Sequence, residues 1–174
     1  MLPDEAITAL EFLLPALKRH EVNVLAIGGL AVAHYGHRRI SGGPVKGEIK
    51  ADLDFWYRPT TENFVNLLKA LKDLDVDVEE IERMVFDPRK SFLKIPHKNF
   101  HIDFLPQVAG LDSYNDCEKN SAIMVIGNYQ MAVLGFNDLL KNKQAVGRPI
   151  DQADIAALRK RQSPDDDQNP DLTP

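Results

Sequence analysis

The sequence predicts a mixed α/β (α+β) fold, a small twisted mixed sheet with helices packed on one face and a short helical C-terminal portion. Three observations predict it. An apolar run over 22–27 breaks into Gly28-Gly29 and a short helical stretch, the pattern of a strand turning tightly into a helix. Residues 52–57 alternate, with Asp52, Asp54 and Trp56 on one side and Leu53, Phe55 and Tyr57 on the other, as a strand with two unlike faces requires. Between such runs lie segments whose apolar residues recur three and four positions apart, the spacing of amphipathic helices.

In chain order, Ile7, Leu10, Leu13, Leu14 and Leu17 predict an opening helix over 4–20, with Pro15 as a kink or break inside it. The strand over 22–27 follows, then the glycine turn and a helix over 30–35 closed by Gly36. Residues 37–50 are basic and rich in glycine, which predicts a mobile loop. After the strand at 52–57, Thr60 or Thr61 caps a helix to about residue 74. Residues 91–95 and 100–105 predict two strands joined by a hairpin turn at 96–99, with Asp103 alternating against Ile102 and Phe104. A short helix near 113–119, a strand pair within 122–134 and helices near 136–145 and 150–161 complete a single domain over 1–161. Residues 162–174, all polar, proline or aspartate but for Leu172, predict a disordered acidic tail.

Composition narrows the function by exclusion. A chain of 174 residues with one cysteine, Cys117, has no intramolecular disulfide framework and no thiolate zinc cluster, which suits a reducing cytoplasm. The start lacks a basic leader segment, and no apolar stretch approaches the roughly 20 residues that span a bilayer, so no membrane partner is expected. Net charge is −5, but the four aspartates of the tail set against Arg161 supply −3 of it. The nearly neutral body lacks the basic field of a duplex-DNA binder, while a local patch would suffice for a phosphate or an RNA end.

Asp52-x-Asp54 is weak as a bare motif, since Asp73-x-Asp75-x-Asp77 and Asp165-x-Asp167 share its spacing. Context separates them. The 73–77 run reads as a solvated edge, whereas Asp52 and Asp54 alternate with apolar residues, follow a glycine turn and precede a lone Asp103 in another apolar strand. A half-exposed strand with its polar side in water explains the first two equally well. Asp103 among Phe100, Ile102, Phe104 and Leu105 is costly to bury unless it is paired, hydrogen-bonded or metal-bound, and no cation is its evident partner. Three converging carboxylates need compensating charge, and oxygen-only donors select Mg2+ or Mn2+. Such ions against a nucleoside triphosphate (NTP) point to nucleotidyl transfer, with Gly28 and Gly29 letting backbone N–H groups approach the phosphates. Gly42-Gly43 is followed by no Gly-Lys-Ser/Thr, so a P-loop is excluded. His101 shares a strand side with Asp103, as a supporting group or as an ordinary core or surface histidine. No His-Glu-x-x-His occurs, nor a recognisable nucleophile arrangement.

With these residues assembled, the chain resembles the nucleotidyltransferase superfamily that includes DNA polymerase beta-like enzymes, and above all bacterial nucleotidyltransferase-fold proteins related to abortive-infection toxins. One stretch carrying the likeness runs from Gly28-Gly29-Leu30-Ala31 through His34-Tyr35-Gly36 and Arg39 to Asp52-Leu53-Asp54-Phe55-Trp56. The other is Asp138-Leu139-Leu140-Lys141-Asn142-Lys143, then Gly147-Arg148-Pro149 and Asp151 to Asp154. The resemblance implies a nucleotidyltransferase fold, metal binding and catalysis at Asp52, Asp54 and Asp103, and nucleotide binding at Gly28, Gly29, Arg39, Lys143 and Arg148, with Lys141 a weaker match. Asp151 and Asp154, three apart on one helix side, are placed to orient Lys143 or Arg148. Gly147 as a helix cap and Pro149 in the first turn of the next helix explain the same stretch structurally.

Two departures stand out: Gly-Gly replaces the Gly-Ser of many active transferases, and residues 42–51 separate Arg39-x-Ser41 from Asp52. The loop over 41–50, which carries most of this insertion, reads as a gate over the site. The function expected is therefore Mg2+-dependent transfer of a nucleoside monophosphate from NTP to a hydroxyl on an RNA end or a protein. The alternative is a non-catalytic nucleotide- or protein-binding module, one partner of a toxin–antitoxin pair.

Overall fold

The computed structural model describes residues 2, 4–37, 51–83, 87–96 and 100–162. The expected gate over 41–50, residues 97–99 of the expected hairpin turn and the acidic tail beyond 162 lie outside them, as does Arg39. Within them is a mixed α/β architecture: an open six-stranded mixed sheet, helices, and a C-terminal helical pair.

The opening helix α1 (Asp4–Arg19) runs unbroken through Pro15. Acidic residues at its start and basic ones at its end suit the helix dipole, and Leu10, Leu13, Leu14 and Leu17 are all buried. Packing of that apolar stripe holds the helix together where proline removes one backbone bond. Strand β1 (Val24–Ala26) is shorter than the apolar run that announces it, because residues 22 and 23 bond to Leu17 and Asn63 instead of a neighbouring strand. Helix α2 (Gly28–His34) takes in both glycines, Gly28 at φ +56°.

Strand β2 (Ala51–Tyr57) is followed by Thr60, whose side chain accepts from the Asn63 N–H to cap α3 (Thr61–Lys72). The run at 73–77 is not simply a solvated edge: Asp73 binds Arg19 and His20 of the α1 end, and Asp77 caps α4 (Glu79–Arg83), which periodicity does not reveal. The pairs β3 (Leu93–Pro96) with β4 (Phe100–Leu105) and β5 (Ala122–Ile126) with β6 (Tyr129–Val133) are antiparallel. Helix α5 (Tyr114–Lys119) lies between the two pairs, capped by Ser113. Helix α6 (Phe136–Val146) ends at Gly147 in the left-handed conformation, and α7 (Pro149–Gln162) starts on a proline.

The strand order is β3-β4-β2-β1-β6-β5. β2 runs parallel to β4 and antiparallel to β1, and β1 runs parallel to β6. Leu53, Phe55 and Tyr57 are buried on the side where α1 packs. The other side is not bare, contrary to a sheet covered by helices on one face alone. Trp56, 3% exposed, stacks edge-on against Tyr114 of α5 at 5.3 Å and donates its indole N–H to the Pro106 carbonyl. Burying so large an aromatic ring with its N–H bonded is favourable, and α5 covers the Trp56 end of the strand. The edges differ: β3 carries Lys94 and Pro96, while β5 has no charge, with Ile123 56% and Val125 64% exposed.

Asn63 locks α3 to the strand ends. Its buried side chain accepts from the Asn23 N–H at 2.7 Å and donates to the carbonyls of Asn23 and Arg58, each at 3.0 Å. Asn63→Ala strands these groups, so urea unfolding is expected to show a loss of about 3 kcal/mol with the same fold.

Candidate active site: a carboxylate row beside a glycine turn

Parallel partners present their side chains on the same side of a sheet, and β2 meets β4 with Asp54 opposite Asp103 and Asp52 opposite His101. Antiparallel β3 adds Lys94 opposite Asp103 and Pro96 opposite His101. A row therefore runs Lys94, Asp103, Asp54 across three strands. It ends at the glycine turn, because the Ile27 N–H still bonds the Asp54 carbonyl at 3.0 Å.

Gly28 is fitted to Asp54 in two ways. Its φ of +56° disfavours any side chain, and a Cβ built there would lie 2.2 Å from Asp54 Oδ2. The carboxylate thus occupies the volume that glycine vacates. Gly29 follows in the first turn of α2, whose N-terminus opens beside the row without a side-chain cap.

Lys94 is the site residue that pattern reading misses. Its Nζ lies 3.8 Å from Asp103 Oδ2, with Lys94 63% and Asp103 24% exposed, so the aspartate does have a cation partner. The signal is in the sequence, since a hairpin joining 93–96 to 100–105 fixes which residues face each other, but only once its register is known. Asp103 Oδ1 is enclosed and has no hydrogen-bond partner among the described residues, and the same holds for His101 Nδ1.

The basic residues of α6 and α7 divide into two roles. Lys143 is 2% exposed, its ammonium held by Asp151 Oδ1 at 2.8 Å and Asp154 Oδ2 at 3.0 Å. Both of these ion pairs are to carboxylates that are themselves buried. Arg148, 61% exposed, grips Asp151 through Nε at 2.7 Å and a terminal nitrogen at 3.1 Å. Its guanidinium is held above its ordinary value chiefly by the bond to Asp151, with Asp54 and Asp154 adding to the field. Asp54 and Arg148 are thus electrostatic neighbours. Burial works to raise the Asp151 carboxyl, but the bonds to Arg148 and Lys143 outweigh it and hold the group well below the usual carboxylate range. His37 Nε2 approaches Asp154 at 3.7 Å. Lys141 is 63% exposed and 3.3 Å from Asp138.

The donor set suits a hard divalent cation, being oxygen-only, with one enclosed oxygen of Asp103 unserved among the described residues and the Asp54 carboxylate set against Gly28. Asp52 and Asp54 stand two residues apart on one strand, about 7 Å along it, so closing both on an ion takes side-chain rotation. Among the described residues no three His, Cys, Asp or Glu side chains are gathered around one point. Cys117 is buried, and burial, aided by the nearby Asp138, pushes its thiol up to about 11, which disfavours the thiolate.

A cleft of about 600 Å³ lies elsewhere, between the C-terminal end of α1 and the splayed starts of β1 and β6, lined by Lys18, Asn23, Glu118 and Tyr129 among others. None of the carboxylate row lines it. No helix among the described residues is long and apolar enough to cross a membrane. No protein-family model matches the chain, and no curated protein matches it either.

Two outcomes test this geometry. Gly28→Ala is expected to fold, since the clashing atom is the free end of a side chain. It should lose about 1–2 kcal/mol to the left-handed backbone, with a crystal structure showing the Asp54 carboxylate turned away. Asp151 is ionised far more readily folded than unfolded, so its stabilisation is complete above its ordinary value of 3.8 and is lost as pH falls below that. Asp151→Asn should cost roughly 3 kcal/mol at neutral pH, the low end for breaking a buried pair because Asp154 still serves Lys143. Denaturant titrations from pH 7 to 2 should then show a shallower acid loss in the variant than in the wild type.

Proposed function

We propose that the chain is a metal-dependent nucleotidyltransferase that moves a nucleoside monophosphate from NTP to a hydroxyl acceptor, on a nucleotidyltransferase fold. The observation that carries this reading is the in-register placement of Asp54 beside Asp103, with Gly28 shaped around the Asp54 carboxylate. A carboxylate pair next to a side-chain-free turn is what joining a triphosphate to divalent cations requires. Asp52, Asp54 and Asp103 would hold Mg2+ or Mn2+, which supplies charge neutralisation and a more acidic acceptor hydroxyl.

The chain's own groups account for the remaining work. Backbone N–H groups at Gly28 and Gly29 and the start of α2 receive phosphate oxygens. Arg148 stands on the Asp54 side, where a triphosphate bound at the turn would run. Its guanidinium is oriented by Asp151, which Lys143 in turn holds in place, so Lys143 serves the nucleotide at one remove. Asp103, at the far end of the row from the glycine turn, lies on the acceptor side and is the group to draw the hydroxyl proton. The body, nearly neutral once the −3 of the tail is set aside from the net −5, suits a short acidic acceptor, an RNA end or a protein, better than a long nucleic-acid track.

The reading is tested by incubating the protein and cell extract with each α-labelled NTP and Mg2+, then separating RNA from protein. Label is expected in one fraction, and none with Asp54→Asn. Calorimetry should show that Asp54→Asn weakens Mg2+-dependent ATP binding roughly tenfold or more while the thermal unfolding curve stays near that of the wild type. Equal binding by both proteins would sink the assignment, and nucleotide binding without transfer of label would leave a binding module.

A further inference from the structure

We propose that Lys94 is the resident counter-ion of the carboxylate row, and that a divalent cation binds there by displacing its ammonium from Asp103. This rests on the reading of Asp52, Asp54 and Asp103 as metal ligands and adds a positioning residue to it.

Lys94 reaches Asp103 from the edge strand β3, in register and on the same side of the sheet. At 3.8 Å the pair is loose, and Lys94 is 63% exposed, so the attraction is screened and cheap to break. It is also incomplete. The ammonium serves Oδ2 and leaves Oδ1 enclosed without a partner among the described residues, a state that an ion bound to the carboxylate would relieve. The described neighbours on this side of the sheet are Asp54, Asp52, His101 and Pro96, so Lys94 is the one cation registered against the row from β3. Arg148 at the other end is already committed to Asp151 by two side-chain bonds.

A lysine on an edge strand has an ordinary alternative use, to discourage pairing with another chain. The two roles give different readouts, because a strand guard has no bearing on metal affinity. Removing a competing charge tightens metal binding by the small factor that an exposed pair is worth, roughly three- to fivefold.

Mn2+ affinity measured by calorimetry, with no nucleotide present, separates them. Lys94→Met is expected to bind Mn2+ roughly three- to fivefold more tightly than the wild type. Lys94→Arg should stay near the wild-type value, and Asp103→Asn should erase the gain when combined with Lys94→Met. Lys94→Gln provides the same test with a polar side chain should the methionine variant be poorly soluble. Unchanged or weaker Mn2+ binding in both neutral variants overturns the role of Lys94 while leaving the metal site standing. Absence of Mn2+ binding in every protein, wild type included, overturns both.

Discussion

The structure depends on the register of β2 against β4. In a strand the side chains alternate with a period of two, so a slip of one residue would send Asp52 and Asp54 into the core and bring Leu53 and Phe55 out. Burial of Leu53, Phe55 and Tyr57 under α1 and α3 forbids that slip more firmly than any interaction at the carboxylates. Phe55 and Phe104, partners across the two strands, stack at 5.4 Å and fix the same register from the core side. Apolar packing on one side of the sheet thereby sets the spacing of charge on the other.

That division explains what was legible in the sequence. Alternation around Asp54 and Asp103 places both on polar strand sides, and helical spacing locates α1, α3, α6 and α7 within a few residues. Pro15 misleads, because a local rule about a missing N–H says nothing of the packing that holds α1 together on either side of it. Trp56 misleads in the opposite direction. Grouped with the aspartates by alternation, it is buried by α5, whose arrival 58 positions later no local pattern announces. Asp73 belongs with these, since its partners Arg19 and His20 lie more than fifty residues away.

The candidate site is less legible because its chemistry is a matter of which charges are already spent. Lys143 and Arg148 look equivalent in sequence, two cations near a helix junction. In three dimensions one is enclosed by Asp151 and Asp154, and the other is exposed with its guanidinium braced against Asp151. Enclosing an ammonium is tolerable only because two carboxylates surround it, and that arrangement ties α6 to α7 by charge where α7 offers few buried apolar residues of its own. Registers, not residue types, also decide that Lys94 meets Asp103.

The two edges of the sheet are unlike, and the difference gives the molecule a direction. At β3 an approaching strand meets a lysine and a proline that lacks the N–H needed for a ladder. At β5 it meets Ala122, Ile123, Met124, Val125 and Ile126, a neutral run of β-formers with two large side chains in water. Growth of the sheet by one more strand is therefore opposed beside the carboxylates and, among the described residues, meets no charge or proline at the far side. A strand added at β5 would have four strands between it and Asp103, so the edge that invites pairing and the row of carboxylates are kept apart by the width of the sheet.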